Sequence, residues 1–166
     1  MLLKKLKAVS YVEVVLVLVI IGVVSSMAIP TLKKYTQKQE FAKGAQKAFY
    51  TLNEVVDNAI TTNGPIRKVS ADTVFNNFLK PSFKANSSGD NYVITKDGMR
   101  FEQYSTHSNA SHLIVDVNGT AKGPNVFGKD KHYFDINLNS GKVIPQGDTA
   151  TLYKNNWTYT DALWNK

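Results

Sequence analysis

The sequence predicts an α+β protein. One long N-terminal helix, lipid-soluble over its first half, packs through its second half on a C-terminal antiparallel sheet of about four or five strands. Three observations carry this expectation: an apolar run opens the chain, a stripe of helical period follows it, and short alternating runs separated by turn signals fill the rest. The 166 residues suit about one globular domain beyond the apolar run. There is no cysteine, which excludes disulfide frameworks, thiolate zinc sites and cysteine nucleophiles.

The apolar run is uninterrupted from Val14 to Val24, Gly22 included, and continues at lower hydropathy through Ser25 to Ile29. With Val9 to Val12 ahead of it, the segment reaches the roughly 20 residues a helix needs to cross a bilayer core. Lys4, Lys5 and Lys7 lie on one side only, so that end is expected to stay cytoplasmic while the remainder is exported. Glu13 breaks the pattern. A carboxylate within a lipid-facing helix costs about 2–3 kcal/mol or more and calls for a partner, and a simple tether gains nothing from it.

Past Pro30 the pattern becomes amphipathic. Tyr35, Phe41, Ala45, Ala48, Leu52, Val55 and Ala59 recur, from Phe41 onward at steps of four and three, while lysines fall mostly off that stripe. Asn63-Gly64-Pro65 ends the helix. Gly22, Pro30 and Gly44 are its expected weak points. Ser70 is placed to cap a short helix carrying Val74, Phe75, Phe78 and Leu79. The polar stretch 84–90 reads as loop. Strands are expected at Tyr92–Thr95, Met99–Tyr104, His112–Val117, Tyr133–Leu138 and Lys142–Ile144, turned by Asp97-Gly98, Asn118-Gly119 and Asn139-Ser140-Gly141. The C-terminal stretch with Trp157, Tyr159 and Trp164 reads as a terminal strand or strap on the sheet, or else as a subunit-contact or ligand-stacking surface.

The basic leader, the small residue Ala8, the run VSYVEVVLVLVIIGVV and the later Pro30 together resemble the start of a type IV pilin or type II secretion pseudopilin. The resemblance covers about the first 35 residues, with Ala8 where Gly is usual and Val9 where Phe is usual. It implies a pilin-like fold and four segments: a leader at residues 1–8, an assembly helix half at 9–30, an amphipathic half at 31–62 and a globular head at 63–166. It implies cleavage between Ala8 and Val9 by a prepilin peptidase and methylation of Val9. It also makes Val9, Glu13 and Pro30 the assembly residues, Glu13 being the fifth residue of the mature chain and Pro30 the helix-kinking proline. The partners implied are further copies of the chain or other pilin-like subunits in a helical filament, and an inner-membrane assembly platform. The implied location is the bacterial inner membrane as a single-pass precursor, then a periplasmic pseudopilus or an extracellular pilus (fimbrium).

Other readings of the residues stay open beside this one. They are a secretory signal cut near Ala28, a minor pilin serving as a DNA- or surface-binding module, and a membrane-anchored exported domain that does not polymerise. Nucleic acid is disfavoured as a partner. The net charge of +7 includes the three leader lysines, and only Arg67 and Arg100 supply guanidinium groups. The segment 116–135 holds Asp116, Asn118 and Asp130 among Gly and Pro, which suits either side-chain-shaped turns or a structural calcium ion; no other cofactor is expected. His107, His112 and His132 are scattered, no hydrolase, zinc-protease or phosphate-loop motif occurs, and the expectation is a protein without catalytic residues.

Overall fold

The computed structural model describes residues 10–70, 73–107 and 109–166. These fall into two units, one ending at Gln37 and one running from Lys38 to Lys166. A single helix, α1 (Tyr11–Asn63), passes through both. In the first unit its side chains are exposed almost throughout, Val14 to Val24 among them. This stretch is long and apolar enough to cross a membrane, and none of its most apolar window is buried within the protein.

From Lys38 onward the helix has a core to serve. Phe41, Ala42, Ala45, Ala48, Leu52, Val55, Val56 and Ala59 are buried, which is the expected stripe widened by one residue at two points. Tyr35 departs from it: this ring is 61% exposed and belongs to the first unit. Four alanines and Gly44 on or beside the stripe let the helix axis come close to the sheet. An ideal Cβ at Gly44 would stand 2.8 Å from Cβ of Val117 and 2.9 Å from its Cγ2. Gly44, expected as a weak point, is therefore a packing contact. The helix ends where Gly64 takes φ +83°, and its N–H still bonds the Ile60 carbonyl at 2.8 Å.

The sheet is a six-stranded antiparallel meander in the order β1 (Ala85–Ser88), β2 (Tyr92–Thr95), β3 (Arg100–His107), β4 (Ala110–Asp116), β5 (Lys131–Asn137) and β6 (Val143–Gln146). One face is buried, in clear alternation along β2 and β5. Val93, Phe101, Val115 and His132 form one cross-strand row, and Leu113, Phe134 and Pro145 another. Pro145 is tolerated because β6 is an edge strand. Phe49 of α1 fills the space over this face, with ring centroids 6.4 Å from Phe134, 5.6 Å from Trp157 and 5.3 Å from Tyr153.

Three expectations are corrected. The strand count is six, because the polar segment expected as loop pairs as β1 through its backbone while all four side chains stay exposed. The apolar turn at Val74–Leu79 is a π-helical turn preceded by Thr73, with no side-chain cap, so Ser70 does not cap it. The C-terminal stretch forms two short helices, α2 (Gly147–Lys154) and α3 (Asp161–Trp164), rather than a strand. Thr160 caps α3 by accepting the Leu163 N–H at 3.2 Å. Trp164 then stacks on Phe41 at 6.1 Å beneath the ammonium groups of Lys38 and Lys129.

Gly44→Ala tests how close this seating is. Helix propensity alone favours the change by up to ~1 kcal/mol. The added methyl would meet Val117, and overpacking costs about 1–3 kcal/mol. We therefore predict net destabilisation in urea unfolding followed by the fluorescence of Trp157 and Trp164, partly restored by adding Val117→Ala. A stabilised Gly44→Ala chain would contradict the close approach.

Candidate functional site

Four of the residues singled out from sequence belong to the N-terminal segment. Ala8 and Val9 lie outside the described residues. Glu13 occupies the first turn of α1, where its Oε2 accepts the Ser10 backbone N–H at 2.8 Å. Ser10 Oγ in turn accepts the Val12 N–H at 3.2 Å. This is a reciprocal cap of the Ser-x-x-Glu kind, which satisfies two backbone donors at the helix start and sets a carboxylate against the positive end of the helix dipole. The expectation that a tether gains nothing from Glu13 is thus corrected. The spacing Ser10-Tyr11-Val12-Glu13 was legible as a cap ahead of an apolar run. Pro30 lies inside α1, which continues through it. Having no N–H, Pro30 leaves the Ser26 carbonyl without its usual helical donor. One residue on, the Thr31 hydroxyl adds a bond to the Met27 carbonyl at 3.3 Å.

The second cluster lies between β4 and β5. Asp130 is fully buried, and its two oxygens each accept a backbone N–H at 2.7 Å, from Asn125 and from Val126. Asn125 adopts φ +56°, and its side chain donates to the Thr120 carbonyl at 3.2 Å. The Asn118 amide donates to the Gly123 carbonyl at 3.1 Å. Side chains therefore shape this loop by replacing the backbone partners that a regular element would give. The Tyr159 hydroxyl closes it from the C-terminal side with a 2.8 Å bond to the Lys129 carbonyl.

Within this cluster two buried oxygens remain without a hydrogen-bond partner among the described residues, Asp116 Oδ2 and Asn118 Oδ1. Asp116 Oδ1 accepts the Asn118 N–H at 3.3 Å. Burial raises the Asp116 pKa above the ordinary carboxylate value; the Asn118 N–H opposes the shift, and the charge of Asp130 adds to it. Calcium takes six to eight oxygens. Asp116, Asn118 and Asp130, the last with each oxygen already accepting a backbone N–H, offer a fraction of that shell, and no group of three or more His, Asp or Glu that could hold a metal occurs among the described residues.

His112 pairs with a carboxylate of the neighbouring strand. Its Nδ1 lies 2.5 Å from Asp135 Oδ1 on the neighbouring strand. Ser105 faces His112 across β3 and β4, so Ser105, His112 and Asp135 stand in a row like a hydrolase triad. The row lacks the contact between nucleophile and base, because no hydrogen bond joins the Ser105 hydroxyl to His112 among the described residues. Trp157, Tyr159 and Trp164 are all buried, so these rings pack the core. No family model, no curated protein and no solved structure matches this chain.

The buried, half-satisfied carboxylate of Asp116 makes a test by substitution. Asp116→Asn should raise the melting temperature near neutral pH. A carboxyl whose folded pKa is raised lowers stability above that pKa and is relieved as pH falls through it, so the gain should fade in acid. His132 acts in the opposite sense. It is buried with its pKa pushed down to about 4, so wild-type stability should fall between about pH 6.5 and pH 4, as the unfolded chain takes up a proton that the folded chain refuses. Thermal melts across this range, in chelator and in millimolar calcium, give the answer. A lower melting temperature for Asp116→Asn in calcium alone would reverse the assignment and make Asp116 a cation ligand.

Proposed function

We propose that the chain is a structural, non-enzymatic subunit of a type IV pilus-like filament or a type II secretion pseudopilus, polymerising through its N-terminal helix. The observation that carries this reading is the unequal treatment of α1. Its second half closes a core, while its first half offers a continuous apolar surface that no described residue buries. A bilayer covers such a surface in the precursor. Neighbouring copies of the same helix cover it in a filament. The resemblance of residues 1–35 to prepilins supplies the second line of support, with cleavage between Ala8 and Val9 freeing an ammonium group on Val9.

Glu13 then has two tasks. One oxygen caps its own helix, and a carboxylate has lone pairs left for the Val9 ammonium of a neighbouring subunit. Pairing offsets the burial of both charges and fixes the axial register. The contact joins different surfaces of successive copies, so it repeats without closing and yields a helical polymer. Prepilin peptidase and an inner-membrane assembly platform are the partners this scheme requires, with the subunit held first in the bacterial inner membrane and later in a periplasmic or extracellular filament.

The two tasks of Glu13 separate on substitution. Glu13→Gln keeps a capping side chain and loses the charge, whereas Glu13→Ala loses both. Both variants should insert in the membrane and be processed, as N-terminal sequencing will report, and both should fail to form filaments. An ammonium left buried and unpaired costs about 3–5 kcal/mol at every subunit addition. Filaments of normal abundance from processed Glu13→Gln protein would reduce Glu13 to a helix cap and favour a membrane-anchored domain that does not polymerise.

A further inference from the structure

The face of the sheet turned away from α1 carries a cavity that filament assembly does not use. Its volume is about 370 Å³, and it is lined by Tyr104, Ser105, His112, Tyr133, Asp135 and Gln146. Two features show how the chain builds it. First, the register between β3 and β4 shifts between Gln103 and Ser105, leaving Tyr104 as an extra residue in a β-bulge. Bulges re-aim side chains, and this one brings Ser105 opposite His112 while Tyr104 stands 65% exposed beside the opening. Second, Tyr133 is held from both sides. Phe127 stacks on it at 4.5 Å with the planes 5° apart, and Tyr104 meets it edge-on at 6.2 Å. Three rings thus cluster on the surface, with Tyr104 and Phe127 the exposed members.

The remaining lining is polar and fixed. Asp135 and His112 hold each other at 2.5 Å, and Gln146 is the cross-strand neighbour of Tyr133. Beyond the Phe127–Tyr133 stack a second hollow of about 210 Å³ continues the face, bounded by Arg100, Glu102, Asp116 and Lys131 among others. Donors and acceptors of both signs therefore surround exposed rings, with no excess of cations.

We propose that this face binds a neutral saccharide. A pyranose ring presents C–H groups on its flat face, which suit an aromatic platform, and hydroxyls at its rim, which suit paired amide, imidazole and carboxylate groups. A nucleic-acid strand would also stack, but its phosphates would meet Asp135 and Glu102. The inference is independent of the filament reading, since it concerns the head alone.

The test uses the full chain in a detergent without a sugar headgroup. Saturation-transfer NMR is recorded on cellotetraose, chitotetraose and maltotetraose, with the oligonucleotide dT12 as the anionic stacking control. At least one saccharide should receive saturation, with a Kd of about 1 mM, as expected for a shallow site. Tyr104→Ala and Asp135→Asn should each weaken it about fivefold or more, a factor within the range of a lost ring contact or hydrogen bond. Tyr50→Ala, which removes a comparably exposed ring from α1, should leave it unchanged. Transfer to none of the three sugars, transfer insensitive to Tyr104→Ala, or binding of dT12 alone would overturn the proposal.

Discussion

Seating α1 on the sheet is the interaction on which the rest of the head depends. The stripe from Phe41 to Ala59 is small along its length and aromatic at its start, so the helix lies close to the strands while Phe41 and Phe49 collect the C-terminal rings around them. Gly44 against Val117 sets the distance. The terminal helices α2 and α3, the buried Trp157 and Trp164 and the Tyr159 bond to the loop after β4 all take their positions from that seating. Ion pairs such as Lys38–Asp161 and Lys47–Asp97 decorate the seam, and their exposed carboxylates make them minor contributors beside the buried area.

The same helix carries an unmatched requirement at its other end. Apolar side chains from Val14 onward gain free energy on leaving water at about 25 cal/mol per Å², and the described residues supply no surface to receive them. A lipid bilayer meets this requirement, and so does a bundle of like helices; under the filament proposal the subunit passes from one to the other. The polar cap of Ser10 and Glu13 fits either environment, because it satisfies backbone donors at the helix start that water would otherwise serve.

Most of the architecture was legible in periodicity. The stripe, the helix stop at Gly64 and the strands from Tyr92 to Ile144 follow from patterns of period 3.6 and 2. β1 was not legible, since Ala85-Asn86-Ser87-Ser88 has no apolar alternation and pairs through its backbone alone. α2 was missed because eight residues with Thr149 and Leu152 as its buried positions make too weak a stripe. The surface site was hidden for a different reason. The pairing of His112 with Asp135 and the bulge at Tyr104 depend on strand register, which no local pattern specifies. Asp130 read as an oxygen ligand by its chemistry, and only the folded loop reveals that two backbone donors occupy it.

The filament proposal turns on α1 meeting copies of itself through unlike surfaces. Because the chain has no cysteine, it can be tested with a single variant carrying Val15→Cys and Ile20→Cys, treated in cells of the native host with a short bifunctional maleimide. An open, repeating contact predicts a ladder of covalent multimers that extends well past the dimer. Only monomer, or a product that stops at the dimer, would contradict it and leave the helix as a membrane anchor.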